Sequence, residues 1–266
     1  MKINGKDIAK NILDRLRQFP QPEKFLGVVL VGENSASEIF VRQKERTAKD
    51  LGVDFRIFRF PDSIGQEELE NAVKEMGADK MCGGILVQIP LPDHIRMQNV
   101  MNAIPLDKDV EMMGEEALGS VYTFRSPVAP LAAGVVEEVL KNIGLDFRDA
   151  RMTVLGLGNL VGKPVATWFL ERIPEMHLIQ RGGSFESLKE ASVVVLGVGQ
   201  AGIVTPEMIS KHACVVDFGY MTKDGKPSGD FNDSNVPDSV TYTPTPGGTG
   251  PILVAKLFEN FYTLVK

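Results

Sequence analysis

Apolar residues in this chain come in short continuous runs, and between the runs they recur every three or four positions. Residues 25–31, FLGVVLV, are apolar throughout; Gly32 ends the run, and the hydroxyls of Ser35 and Ser37 suit a helix N-terminus. The pattern predicts a strand feeding a helix that lasts to about residues 51–52. A strand near 53–60, a helix near 66–76 and a buried strand at 84–88 follow, after an N-terminal segment that itself reads as a helix. Strands alternating with helices imply a parallel sheet, because each crossover helix brings the chain back to the end where the last strand began.

Between residues 90 and 130 the pattern loosens into loop-rich sequence with one short helix around 93–102, and a helix then spans about 131–143. A lobe boundary is expected there. Alternation resumes with a strand at 152–155, a glycine-rich loop, a helix to 172, a strand at 176–180, a helix near 185–191, and strands at 193–197 and 213–218. That is the order of a doubly wound, Rossmann-like unit. A final helix over 251–264, with Pro251 at its start, is of the kind that packs back across a lobe interface. The predicted fold is α/β in two lobes: an N-terminal α/β lobe and a Rossmann-like doubly wound lobe, with the C-terminal helix returning to the first. Residues 1–128 plus 250–266 are assigned to one lobe and 129–249 to the other.

The loop before the second lobe's first helix reads Gly156-Leu157-Gly158-Asn159-Leu160-Val161-Gly162, and Pro164 suits the first turn of that helix. Glycines at a strand-to-helix turn let backbone N–H groups approach a pyrophosphate held at the positive end of the helix. The spacing, G-x-G-x-x-x-G, is one residue longer than the common dinucleotide fingerprint, and a tight turn without a ligand is the alternative reading. Gly156, Gly158, Asn159, Val161 and Gly162, together with Gly199, are the candidate cofactor-binding residues. The next strand ends in Gln180-Arg181-Gly182-Gly183-Ser184, with no acid to take a ribose 2′-hydroxyl. Arg181 and Ser184 can both donate to a 2′-phosphate, which favours NADP, with NAD as the alternative.

Composition narrows the class. A chain of 266 residues with 43% hydrophobic and 24% charged content is globular, and no apolar run is long enough to span a bilayer. The formal charge of −6 and the lack of a basic stripe argue against a nucleic-acid partner. No cleavable leader is evident, so a cytoplasmic location is expected. Cys82 and Cys214 read as buried thiols, and His94, His177 and His212 show no metal-ligand spacing, so no metal is expected.

In the first lobe, Phe40, Lys44, Thr47, Ala48 and Leu51 fall at offsets of 0, 4, 7, 8 and 11 along one helix face. A lysine in such a stripe either runs its stem along the core with its ammonium in water, or is partly buried. In the second case desolvation lowers its pKa toward neutrality, as acid–base catalysis needs. Three further segments stand out. Gln88 ends a buried strand, where α/β proteins bind ligands, and Ile89-Pro90-Leu91-Pro92 stiffens the exit. Residues 105–111, PLDKDVE, form a charged turn, either carboxylate-presenting or merely solvated. Residues 243–251, TPTPGGTGP, make a loop rigid in places and open to close backbone approach.

Together these segments resemble the bifunctional methylenetetrahydrofolate dehydrogenase/methenyltetrahydrofolate cyclohydrolase family. Residues 85–92 are similar to its G-I-L-V-Q-L-P-L-P segment, residues 243–251 to its T-P-V-P-G-G-V-G-P loop, and residues 159–164 to the end of its G-R-S-x-x-V-G-x-P nucleotide loop. The resemblance implies a folate-binding catalytic lobe and an NAD(P) lobe, commonly in a homodimer, and a place in one-carbon metabolism and purine biosynthesis. It implies oxidation of 5,10-methylenetetrahydrofolate with NADP and hydrolysis of the methenyl product to 10-formyltetrahydrofolate. Lys44 becomes the catalytic candidate and Gln88 its assistant, with Phe40, Glu111, Pro246, Gly247 and Gly248 as substrate-binding residues. The chain departs from the family in four places. Phe40 stands for its Tyr, Glu111 for the Asp of D-V-D-G that binds the pterin, Gly156-Leu157-Gly158 for G-R-S, and residues 127–130, PVAP, for P-C-T-P. These departures leave two alternatives: retention of one activity, with the cyclohydrolase weakened by Phe40, or a nucleotide- or folate-binding protein without catalysis.

Overall fold

The computed structural model describes residues 1–223 and 225–266 and divides into two compact units. One contains Asn11–Ala129 and Val254–Lys266, the other Met1–Lys10 and Pro130–Leu253. The architecture is α/β with parallel sheets, as the strand–helix alternation predicts.

In the first unit, strands β1 (Phe25–Val31), β2 (Phe55–Phe60) and β3 (Cys82–Val87) form a parallel sheet in the order β2-β1-β3. Every residue of β1 and β3 is buried, whereas edge strand β2 is half-covered. Burial on both faces is why β1 and β3 read as unbroken apolar runs rather than alternating ones. Helix α1 (Gly5–Leu16) precedes β1, α2 (Ser35–Leu51) follows it, and α3 (Gln66–Ala78) follows β2. Asn34 caps α2 by accepting from the backbone N–H groups of Ala36 and Ser37, so the cap lies one residue before the predicted hydroxyls. At its other end Gly52 adopts a left-handed conformation (φ 71°) and Val53 N–H donates to Ala48 O. Val53 is thereby used in closing the helix, which is why β2 starts at Phe55 rather than at 53.

The loop-rich stretch carries α4 (Met97–Asn102) and α5 (Glu115–Tyr122). The former is shorter than predicted because the Arg96 N–H donates to the Gln66 side chain and Ile95 N–H to Pro92 O, a turn that precedes the helix. The latter was not anticipated.

In the second unit, α6 (Leu131–Asn142) leads into β4 (Arg151–Leu155), α7 (Gly162–Phe169), β5 (Glu175–Ile179), β6 (Val193–Leu196) and β7 (Cys214–Asp217). A hairpin of β8 (Met221–Lys223) and β9 (Lys226–Ser228) and a two-residue β10 (Thr241–Tyr242) complete it before α8 (Thr249–Leu264). The main sheet is parallel, in the order β10-β7-β6-β4-β5. β4 therefore has β5 on one side and β6 on the other, which makes its C-terminal end the topological switch point of the sheet. The helix expected near 185–191 is a single 3-10 turn, Glu186–Lys189: Ser210 N–H takes the Leu188 carbonyl, so the helical ladder stops. α7 is likewise shorter than predicted. Its Trp168 donates from Nε1 to Glu137 on α6 at 2.7 Å, with the Arg172 guanidinium 4.0 Å above the ring.

Residues 1–10, grouped by sequence with the first lobe, cluster here with the second. Ile3 N–H donates to Tyr242 O, Tyr242 N–H to Met1 O, and Gly5 N–H to Gly247 O. From Val254 onward α8 belongs with the first unit, where Asn260 Nδ2 donates to Val110 O and Ala129 O at 2.9 Å each.

Candidate functional site

Two clusters gather the candidate residues, one in each unit. In the first unit, Lys44 lies on α2 and Gln88 directly follows β3, both elements leaving the C-terminal edge of the sheet. Gln88 N–H extends the strand ladder by donating to Val29 O at 2.9 Å, which fixes the backbone from which the side chain projects. Its amide nitrogen donates to Ile89 O at 2.7 Å, turning the oxygen toward Lys44, whose Nζ donates to it at 2.9 Å. The lysine is thus neither fully exposed nor buried without a partner.

Glu111 joins this pair through the turn that follows α4. The buried Asp109 accepts from the N–H groups of Glu111 and Met112 on one oxygen, and from Met113 and Gly114 on the other, at 2.8–3.2 Å. Four donors on one carboxylate lock the turn and set where Glu111 projects. Among the described residues the Glu111 carboxylate itself accepts no hydrogen bond.

The electrostatics follow from burial. Lys44 and Glu111 keep some accessible surface, yet enough protein surrounds them for lost hydration to dominate. Burial holds the Lys44 ammonium below the ordinary lysine pKa, and the charge of Glu111 pulls it partly back. Burial pushes Glu111 up to about 7, with Lys44 opposing and Asp109 adding to the rise. Burial therefore favours the neutral amine of Lys44, and a carboxylate titrating near 7 can hold or release a proton at physiological pH. Phe40 sits one turn before Lys44 and is 44% exposed.

The second cluster surrounds the switch point. The ends of β4, β5 and β6 enclose a cavity of about 730 Å³ whose lining includes Gly156, Gly158, Arg181 and Gly199. A Cβ on Gly162 would come within 2.0 Å of Gly156 O, and one on Gly156 within 2.6 Å of Gly197 O, so this close approach of backbones admits only glycine. Cβ positions on Gly158, Gly182 and Gly199 would meet nothing within 4 Å, leaving room beside the loop. A spacious cavity, open glycines and the N-terminus of α7 fit a pyrophosphate and its two nucleosides.

Four of the predicted cofactor residues do not line this cavity. Asn159 accepts from Lys163 Nζ at 2.9 Å, Val161 packs its side chain against Gly197, Gly162 serves the backbone contact, and Ser184 Oγ accepts from Glu186 N–H. The structure adds Gln180, whose Oε1 accepts from Leu157 N–H, and Gln200. The position of Gln180 at the end of a strand was the available signal. Pro246, Gly247 and Gly248 lie in the second unit beside Gly5: a Cβ on Gly5 would meet Gly248 O at 1.8 Å. Among the described residues no group of three His, Cys, Asp or Glu side chains is arranged to hold a metal, and no helix is long and apolar enough to cross a membrane.

A family model for the catalytic domain of tetrahydrofolate dehydrogenase/cyclohydrolase matches residues 3–111, and one for its NAD(P)-binding domain matches residues 129–266. The chain belongs to this family. Among its relatives in the family, the bifunctional protein FolD of a Nitratiruptor strain is 32% identical over 268 residues, covering 97% of this chain and 95% of that one. A Streptococcus agalactiae bifunctional protein FolD is 35% identical over 273 residues, covering 98% and 95%. The crystal structure of the bifunctional FolD methylenetetrahydrofolate dehydrogenase/cyclohydrolase from Campylobacter jejuni has a TM-score of 0.95 at 27% identity, covering 100% of this chain and 98% of its own. The Trypanosoma brucei enzyme, solved with NADP cofactor and an inhibitor, has a TM-score of 0.90 at 26% identity, covering 100% and 97%.

Proposed function

We propose that the protein is an NADP-dependent methylenetetrahydrofolate dehydrogenase and methenyltetrahydrofolate cyclohydrolase. It oxidises 5,10-methylenetetrahydrofolate and hydrolyses the methenyl product to 10-formyltetrahydrofolate. The observation that carries this reading is the Lys44–Gln88 hydrogen bond within a family-matched catalytic domain.

NADP, when bound, supplies the oxidant that takes up the hydride lost from the methylene carbon. The glycine loop would hold the pyrophosphate, and Arg181, at the cavity wall, would receive the 2′-phosphate. In the second reaction water attacks the methenyl carbon and must lose a proton; the neutral carbinol so formed opens by breaking its bond to N5, which takes up the hydroxyl proton, and the carbon is left as a formyl group on N10. Neutral Lys44, favoured by the burial that lowers its pKa, accepts the proton lost by the attacking water at Nζ. The Gln88 oxygen holds the amine in line and stabilises it once charged. Glu111 offers its carboxyl to the N–H groups of the pterin. Phe40 supplies an apolar face without the hydroxyl of the family's tyrosine.

Our reading further assigns residues 1–128 plus 250–266 to the folate lobe and 129–249 to the NADP lobe. It extends to a cytoplasmic homodimer that feeds purine biosynthesis, without a nucleic-acid or membrane partner; the acidic charge of −6 supports the last point. The test is a pair of assays on purified protein: reduction of NADP and of NAD with methylenetetrahydrofolate, and loss of methenyltetrahydrofolate absorbance. Turnover in both, with NADP preferred, is expected. Absence of both reactions would remove the proposal.

A further inference from the structure

One wall of the nucleotide cavity is a loop with no regular structure of its own. Val198, Gly199 and Gln200 follow β6 and are exposed or partly so, with Val198 38% exposed and Gly199 at φ 74°. Such a segment would ordinarily be mobile, with its N–H groups bonded to water. Here all three N–H groups converge on a single carboxylate. Asp230, fully buried, accepts from Val198 N–H at 2.6 Å and Gly199 N–H at 3.1 Å on one oxygen, and from Gln200 N–H at 2.7 Å on the other.

Asp230 is itself anchored. Its backbone N–H donates to Asp217 at the end of β7, its carbonyl accepts from Val204 N–H, and Gly219 packs so closely that a Cβ there would lie 2.4 Å from it. Asp217 also accepts from Gly219 and Phe231 N–H groups, and Thr245 Oγ1 donates to Gly219 O. Two buried carboxylates therefore tie the cavity wall to the end of β7 and to the start of the Pro- and Gly-rich loop. Three donors on an acceptor-only group are a charge-assisted arrangement that a neutral side chain cannot reproduce.

We infer that Asp230 is a positioning residue for cofactor affinity: it preorganises the loop of Val198, Gly199 and Gln200 as a rigid wall of the NADP cavity without touching the cofactor. The inference rests on the proposed NADP site. Asp230→Asn keeps the shape but offers one acceptor oxygen, and its NH2 faces an N–H group, so part of the clamp opens.

The test pairs amide hydrogen exchange with calorimetric NADP titration. In the wild-type protein without cofactor, the amides of Val198, Gly199 and Gln200 are expected to exchange as slowly as those of β6. In Asp230→Asn they should exchange at least tenfold faster. The Kd and KM for NADP should rise tenfold or more, with kcat and the KM for the folate changed less than threefold. Wild-type amides exchanging at the rate of an open loop would overturn the inference without any variant. An unchanged NADP Kd in a folded Asp230→Asn, or equal loss in every kinetic constant, would overturn it as well. If the wild-type protein binds no NADP, the proposed function falls and the inference falls with it; tight binding with fast wild-type exchange rejects the inference alone.

Discussion

Glu111 stands where its environment resists its charge, and replacing it with Gln tests this directly. Its pKa rises from the ordinary glutamate value of 4.5 to about 7, mainly through burial, which the charge of Lys44 offsets only in part. The folded state holds the proton more tightly than the unfolded chain, so this group's contribution is fully favourable below pH 4.5 and is lost as pH rises through about 7. At about 1.4 kcal/mol per unit, the folded state is weakened by about 3 kcal/mol at pH 8, but by well under about 1 kcal/mol at pH 4.5. Glu111→Gln removes that pH-dependent term. Lys44 then loses the negative charge that partly offsets its own burial, which returns some of the gain at pH 8. A net stabilisation of about 1–3 kcal/mol at pH 8, shrinking to well under about 1 kcal/mol at pH 4.5, is expected, read from urea titrations. Asp217, also pushed up to about 7 by burial, is untouched and leaves a residual pH slope in both proteins. The same stability difference at both pH values, or a variant destabilised at pH 8, would refute this account of Glu111. Folate KM should rise in the same variant, so that stability and substrate binding move in opposite directions.

Other substitutions probe the two clusters separately. Gln88→Met removes the acceptor 2.9 Å from Lys44 Nζ; with a hydrogen bond to a charged group worth about 1.5–3 kcal/mol, cyclohydrolase kcat should fall roughly ten- to a hundredfold in a methenyltetrahydrofolate decay assay. Phe40→Tyr restores a hydroxyl one turn from Lys44 and should raise the cyclohydrolase rate by up to about tenfold, as parallel rates of the two reactions would reveal. Arg181→Ala should raise the KM for NADP and lower the NADP-to-NAD preference by about tenfold or more in coupled kinetics. Gly162→Ala places a Cβ 2.0 Å from Gly156 O and should both destabilise the second unit by more than about 2 kcal/mol and abolish measurable NADP binding, tested by thermal melting and calorimetry.

What the chain discloses depends on how local each determinant is. β1 and β3 were readable because both faces are covered, and Lys44 because helical period alone placed it on an otherwise apolar face. Gln88 showed itself as a polar residue closing an apolar strand. Helix α5 escaped notice since its eight residues carry two glutamates, a glycine and a serine, and only Ala117 and Val121 are buried. β10 has two residues, and its place in the sheet comes from pairing with β7, some 27 positions earlier. Asp230 could not be recognised at all: its partners lie about 30 residues back, and nothing in the segment Ser228-Gly229-Asp230-Phe231 marks an acid that serves three N–H groups. Asp109 was seen only as part of a charged turn, whereas the structure shows it organising that turn and Glu111 presenting from it.

The indole of Trp168 has an optical consequence. It is the sole tryptophan of the chain, it lies on the helix that Gly162 opens at the glycine loop, and its ring is pinned between Glu137 and Arg172. Emission excited at the red edge of protein absorbance therefore comes from one site in one unit. A reduced nicotinamide absorbs where that indole emits, so bound cofactor will drain its fluorescence by resonance transfer. The molecule carries a built-in titration signal for its nucleotide lobe, and no label needs to be attached.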